Sequence, residues 1–363
     1  MTLICPDPAG GGISRNHYRK KKKKLVVSYD DIISLENLLA AWKEFLKGKR
    51  NKKDVQEFEA HLMDNLFVLY EDLKNKTYEH GGYQAFKIND PKPRDIHKAS
   101  VRDRLVHRAI YRILYPFFDT LFIADSYSCR EGKGTHKALD RFRVFSRKVS
   151  CNHTKTTWVL KCDIRKFFAS IDQDILLRIL REWIQDEDIL WLLGKVVRSF
   201  SSSTARNVGL PLGNLTSQLL VNISMNEFDQ FVKHRLRARY YIRYADDFVI
   251  LSRDKVWLEC ILAEIGRFLD ERLHLKLHPD KVFIQTVVSG VDFLGWMHFS
   301  DHCVLRTVTK KRMFRKLCEK NIFSYLGLLS HGNGYRLRRK LTSLFFSDGK
   351  KLSEGREDIF FDE

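Results

Sequence analysis

The chain has 363 residues, 44% of them hydrophobic and 30% charged, enough apolar mass for one large domain or two to three packed subdomains. Sixty-four Lys and Arg stand against 45 Asp and Glu, and the resulting +19 favours polyanionic partners, nucleic acid first and an anionic membrane surface second. No stretch nears the roughly 18 apolar residues of a spanning helix, the N-terminus lacks the apolar region of a signal peptide, and seven scattered cysteines without CxxC argue against a disulfide framework or zinc site and fit reduced thiols in a cytosol.

Residues 1–24 read as a basic arm ending in the run Arg19 to Lys24, since a block of like charges repels itself. Two readings stay open for it, a solubilising tail and an RNA-binding arm. From Leu35 to Leu73 apolar residues recur at helical spacing, as in Leu62, Leu66, Leu69 and Leu73, and Gly81-Gly82 ends that region. A basic, Pro-punctuated strand or loop then leads into a helix over 101–115. Trp158 to Ile164 reads as a buried strand ending in Asp163. The helix after it, capped near Asp172, sets Ile175, Leu176, Ile179, Leu180 and Trp183 on one side. A Gly/Pro turn at 209 opens a helix through 236. A strand–turn–strand over 240–251, a helix over 257–273, short strands over 281–286 and 291–299, and a basic helical stretch over 310–346 complete the chain. This mixture predicts an α+β fold of the split βαβ type.

The chemistry concentrates at Tyr244-Ala245-Asp246-Asp247, where two carboxylates stand between strand-forming runs. Asp is poor inside strands and welcome at turns, so the pair belongs at a hairpin tip. Alone, such a pair is usually a solvated turn. Asp163, ending its own apolar strand, supplies a third carboxylate that can lie beside the hairpin. Hard oxygen ligands of this kind suit two-metal phosphoryl transfer, with two Mg²⁺ roughly 3.5–4 Å apart. One ion would lower the pKa of a primer 3′-hydroxyl, and the other would take the triphosphate and the leaving pyrophosphate.

Tyr244 to Asp247 resembles the YxDD signature of reverse transcriptases, and ordered blocks from about Lys87 to Phe299 resemble that family too. Lys92-Pro93-Arg94-Asp95-Ile96 through Val101-Arg102-Asp103-Arg104 is similar to the fingers block. Ser126 to Leu139 resembles the SYGFRPGRSxHxAL block of bacterial and group II intron enzymes. Asp163-Ile164-Arg165-Lys166-Phe167-Phe168 resembles motif A, His278-Pro279-Asp280-Lys281 motif D, and Phe293-Leu294-Gly295-Trp296 the primer grip.

The resemblance implies a right-hand polymerase, with fingers and palm over 25–300, a helical thumb over 301–346 and a tail over 347–363. It implies an RNA-directed DNA polymerase with Asp163, Asp246 and Asp247 as catalytic carboxylates. These three and the Ile164 carbonyl would hold the two Mg²⁺, with Mn²⁺ as a substitute. Phe168 would be the steric gate that prefers dNTPs, or else a core aromatic. Lys87 and Arg94 would contact the triphosphate, and Lys281 would protonate pyrophosphate or stand solvated. Phe293, Leu294 and Gly295 would form the primer grip.

Motif B departs from the commoner QGxxxSP pattern: Leu212-Gly213-Asn214-Leu215-Thr216-Ser217-Gln218 resembles the [IVL]GxxxSQ form of diversity-generating retroelement enzymes. Leu212, Gly213 and Gln218 would therefore line the dNTP site. Leu212 offers contact area where Gln could hydrogen-bond, which implies low fidelity at template adenines; neutral drift is the other reading. The expected partners are a template RNA, a cDNA or RNA primer, dNTPs and a small basic oligomeric accessory protein, in the cytoplasm of a bacterium or encoded by a phage, with no membrane. No nuclease or long maturase segment follows, so a full intron-encoded homing protein is not expected. A defence-associated or retron-like enzyme is the alternative within the family, although Thr307-Val308-Thr309 replaces the retron Val-Thr-Gly. A non-catalytic RNA-binding scaffold is the alternative outside it.

Overall fold

In a computed structural model, residues 24–89, 93–202 and 206–346 are described. The basic arm expected over 1–24 (Lys24 apart), Lys92 of the fingers block and the tail over 347–363 lie outside them. Ser28 and Ser34 cap the first two helices, α1 (Tyr29–Ile33) and α2 (Leu35–Phe45), Ser28 in a reciprocal capping box with Asp31. α3 (Lys53–Ala60) and α4 (Leu62–Lys74) follow, and Leu66, Leu69 and Leu73 of α4 are buried at the expected spacing. The basic segment forms a hairpin, β1 (Tyr83–Asn89) with β2 (Pro93–Ala99), in antiparallel register from Tyr83 opposite Ala99 to Asn89 opposite Pro93. α5 (Val101–Asp119), capped by Ser100, runs beyond the expected end and carries Pro116 near its C-terminus.

Besides the short α1, two long helices lie where no element was expected, α6 (Thr135–Val149) and α9 (Glu187–Arg198), and so does the single turn of α7 described next. Between them run β3 (Trp158–Asp163), α7 (Phe167–Ser170) and α8 (Gln173–Arg181). Asp172 caps α8 by accepting the Asp174 and Ile175 N–H groups, and Trp183 lies past its end. α10 (Leu215–Gln230) continues into a π-helical turn over Phe231–Arg235. β4 (Tyr241–Tyr244), β5 (Asp247–Ser252), α11 (Lys255–Leu273) and β6 (Phe283–Thr286) come next. The single strand expected over 291–299 is instead a hairpin, β7 (Val291–Phe293) and β8 (Trp296–His298), joined to β9 (Cys303–Leu305). Leu294 (φ +50) and Gly295 (φ +86) make its two-residue turn, the double left-handed geometry that matches strand twist. The chain closes with α12 (Thr307–Arg315), α13 (Ile322–Leu329) and α14 (Tyr335–Phe346).

The central sheet has the order β4-β5-β3-β6, antiparallel throughout, in an α+β arrangement. Period-two alternation splits its side chains between two cores. Leu160, Cys162, Tyr241, Phe248 and Ile250 pack into the larger core with α1, α2, α4, α5 and α8 to α11. Val159, Ile242, Val249 and Leu251 face a second core made by α6, the β7–β9 sheet and the C-terminal helices. Each fully buried large side chain contributes on the order of 1.5–3 kcal/mol, so this two-sided burial fixes the register. A slip by one residue would exchange the two faces.

Candidate active site

Register assembles the site. Pairing of β3 with β5 sets Asp163 opposite Asp247, and pairing of β4 with β5 sets Tyr244 opposite Asp247, leaving Ala245-Asp246 as the tip. Ala245 takes φ +55, as this tight turn requires. The Ile164 N–H donates to the Asp246 carbonyl at 3.1 Å, stitching the end of β3 to the tip. Asp163, Asp246 and Asp247 are thereby brought together at one end of the sheet, with Ile164 beside them.

A buried ion pair that the sequence reading missed holds the hairpin. Arg243 and Asp229, both 0% exposed, meet through Nε at 2.8 Å and Nη2 at 2.7 Å. Arg243 also donates to Asn222 Oδ1, the Ala245 carbonyl and Ser126 Oγ at 3.1–3.2 Å, while the Tyr241 hydroxyl donates to Asp229 at 2.7 Å. One guanidinium thus ties α10, the Ser126 segment and the turn carbonyl together. Apart from the neighbouring Ala245 carbonyl, its partners are 14 to 117 residues away in sequence, so only the presence of an Arg inside an apolar strand could have signalled it.

The local field is that of crowded carboxylates. Burial, and then the charge of Asp163, pushes Asp246 up, against the pull of Lys281 and Arg94. Burial pushes Asp247 up to about 7; Lys161 opposes this, and Asp163 and Asp246 reinforce it. Lys281 Nζ lies 2.7 Å from Asp163 Oδ1, and Lys161 Nζ lies 3.5 Å from Asp247 Oδ2. Asp247 Oδ1 is buried with no hydrogen-bond partner. A hard-oxygen set containing a buried carboxylate with an unpartnered oxygen fits a divalent cation. Among the described residues no three His, Cys, Asp or Glu already stand in metal-holding geometry, and Lys281 occupies one Asp163 oxygen.

The expected nucleotide-site residues surround this end of the sheet unevenly. Phe168 is half-buried, edge-on to Phe167 at 5.5 Å, and its carbonyl accepts the Leu210 N–H at 2.7 Å. The Leu212 carbonyl accepts the His97 N–H at 3.1 Å, and Asn214 Nδ2 donates to the His97 carbonyl at 2.9 Å, so the β1–β2 hairpin docks on this loop. Gly213 has φ +107, and a Cβ there would lie 2.9 Å from Ile96 Cγ2. Gln218 is half-buried in the first turn of α10.

Lys87 and Arg94 do not come together. Lys87 pairs with Asp95 and Arg94 with Ile88, which puts them on opposite faces of the ribbon. Arg94 shares the face of Ile96, and its charge reaches Asp246; Lys87 stands on the other face. In the β7–β8 hairpin Phe293 is fully buried, while Leu294 and Gly295 form the partly exposed turn. No helix among the described residues is long and apolar enough to cross a membrane.

Comparison with known proteins adds a lineage. A family model described as reverse transcriptase (RNA-dependent DNA polymerase) matches residues 87–298. Protein YkfC of Escherichia coli (strain K12) is 28% identical over 277 residues, covering 65% of this chain and 72% of that protein. The group II intron-encoded protein LtrA of Lactococcus lactis subsp. cremoris is 22% identical over 313 residues, covering 67% and 50%. The putative COX1/OXI3 intron 2 protein of Saccharomyces cerevisiae is 22% identical over 276 residues, covering 60% and 30%, so the chain spans half or less of these two intron proteins. With more than half its length matched, from the β1–β2 hairpin to the end of β8, the chain belongs to the reverse transcriptase family of RNA-directed DNA polymerases.

Proposed function

We propose that this enzyme copies a dedicated template RNA into error-prone, adenine-mutagenised cDNA, as in a diversity-generating retroelement, with a small basic accessory protein as partner. Asp163, Asp246, Asp247 and the Ile164 carbonyl would hold divalent ions, Mg²⁺ first and Mn²⁺ as a substitute; such ions activate a primer 3′-hydroxyl and neutralise charge on the triphosphate and pyrophosphate. Arg94, on the ribbon face nearer Asp246, would meet the incoming triphosphate, and Lys87 is the weaker candidate. Phe168 would exclude the ribose 2′-hydroxyl. Lys281 would leave the Asp163 oxygen it now occupies and give its proton to pyrophosphate.

The observation that carries the mutagenic reading is Leu212 in a loop pinned to the fingers hairpin on both sides of Gly213. A rigid loop makes the identity of residue 212 count, because an apolar contact discriminates between bases less well than a hydrogen bond. Leu212→Gln should restore one such bond, worth about 1 kcal/mol, and lower misincorporation opposite template adenine about fivefold. Error rates measured by sequencing cDNA from a defined RNA test this, and an unchanged adenine error rate refutes it. The likeness to LtrA favours a second reading, in which the copied RNA is an intron. Sequencing cDNA made in cells separates the two, through a repeat copied with adenine changes or an intron copied faithfully.

A further inference from the structure

The end of the central sheet away from the aspartates carries a basic track that the polymerase reading does not use. Asp163 opposite Asp247 marks one end of the sheet, and Trp158 opposite Ser252 marks the other. At that far end a cleft of about 860 Å³ opens between the C-terminal half of α6, the β8–β9 turn and the α13–α14 loop. A second cleft of about 390 Å³ shares Lys148 with it and runs past Arg237, Arg239 and Arg253. A third, about 160 Å³, shares Ser146, His153 and Ser300 with the first and adds Lys155 and threonine hydroxyls. The three form one continuous path.

Its charge is one-sided. Seven Lys and Arg line the path against two carboxylates, Asp254 and Asp301. Asp254 is already spent as the cap of α11, and Asp301 on His302. Arg143 is held by Asp140 and the His331 carbonyl, but among the described residues no carboxylate lies within ion-pair range of Arg147, Lys148, Arg237 or Arg239. These four side chains are exposed. Arg239 lies over the Tyr240 ring at 5.5 Å, which leaves its charge unneutralised, and cations without a carboxylate partner along a concave path are what a chain of phosphates neutralises.

A second observation points to a ligand. His298 lines the large cleft at 1% exposure, and its Nε2 has no hydrogen-bond partner. Burial, and then Arg143, holds its imidazole down to about 4, so it is neutral at ordinary pH, a polar group without a charge of its own to solvate. It is one of eight buried side-chain atoms without a partner among the described residues, and two others, Ser146 Oγ and Thr157 Oγ1, line the same path, a concentration that an occupant would account for. Beside it, Phe299 and His302 stack at 4.6 Å, and Asn333 bridges to Cys303 through its side chain and N–H, holding the rim in place.

We propose that this track binds the phosphodiester backbone of folded RNA, outside the polymerisation cleft and independently of catalysis. An anchored RNA would stay with the enzyme while its template segment moved past the aspartates. Hydroxyls, a buried imidazole and point charges, without an array of base-reading amides, suit recognition of backbone and shape over sequence.

The test measures affinity of the full chain for a folded RNA against salt concentration, without dNTPs or metal. In the triple variant R147Q/K148Q/R239Q, the slope of log K against log salt should shrink by about 2–3, close to one unit per lost phosphate contact. The charge-retaining variant R147K/K148R/R239K should keep the wild-type slope. An unchanged slope in the Gln variant overturns the proposal, including in favour of an acidic protein as occupant. Equal loss in the charge-retaining variant also overturns it, because the effect would then be one of shape. The readout needs no nucleotide incorporation, so it fails or succeeds separately from the mutagenic reading.

Discussion

Replacing Arg243 by methionine would strip five side-chain hydrogen bonds from a position with no solvent exposure. Asp229 would keep the Tyr241 hydroxyl and lose its counter-charge. A buried carboxylate left in that state costs about 3–5 kcal/mol, more than the hydrogen bonds alone, because desolvation is no longer offset. Removing both charges in Arg243→Met/Asp229→Leu should recover more than half of that loss. Polymerase activity should not recover with it, since the Ala245 carbonyl at the tip of the aspartate hairpin would still lack its donor. Urea denaturation of wild type, both single variants and the double gives the coupling energy, and primer extension on the same proteins gives the activity. The reasoning is refuted if Arg243→Met stays within about 1 kcal/mol of wild type, or if the double variant is less stable than the single.

Three further outcomes follow from the same geometry. Asp247 holds its proton up to about pH 7 in the folded chain, above the ordinary carboxylate value near 4. In chelator its contribution to stability is therefore full below about pH 4 and lost as pH rises through about 7; Asp247→Asn should flatten that part of the stability–pH curve in thermal melts. Gly213→Ala combines a forbidden φ with a clash on Ile96, so it should cost about 1–3 kcal/mol and loosen the β1–β2 hairpin, seen as faster amide exchange at His97. Gly295→Ala meets open space, so it should lose only the backbone term of about 1 kcal/mol in the same melts.

Local chemistry was legible wherever an apolar run or stripe is bounded by a residue that breaks or caps it. β3 and the β4–β5 hairpin follow from apolar runs broken at aspartates, and α8 from its Asp172 cap and one apolar face. α6 carries an equally readable stripe, Ala138, Leu139, Phe142, Phe145 and Val149, but it begins inside the Ser126–Leu139 block, whose motif drew the reading instead. The strand expected over 291–299 broke in two because Leu294 occupies a left-handed position that Gly or Asn usually takes. The resemblance implied one shared role for Lys87 and Arg94, yet strand alternation separates them once the register is known. The Arg243–Asp229 pair had only an Arg inside an apolar strand to mark it, and the far-end basic track had no local signature. Each depends on which distant segments the fold brings together.

The central claim rests on the three aspartates at the end of the sheet. It is tested most directly by extending a DNA primer on an RNA template with dNTPs and Mg²⁺, comparing wild type with Asp246→Ala after circular dichroism has shown both folded. Full-length cDNA from wild type and loss of at least about a thousandfold in the variant, roughly 4 kcal/mol of transition-state stabilisation, is the predicted result. Extension by the folded variant at a rate near wild type, or none by folded wild type, would contradict the account.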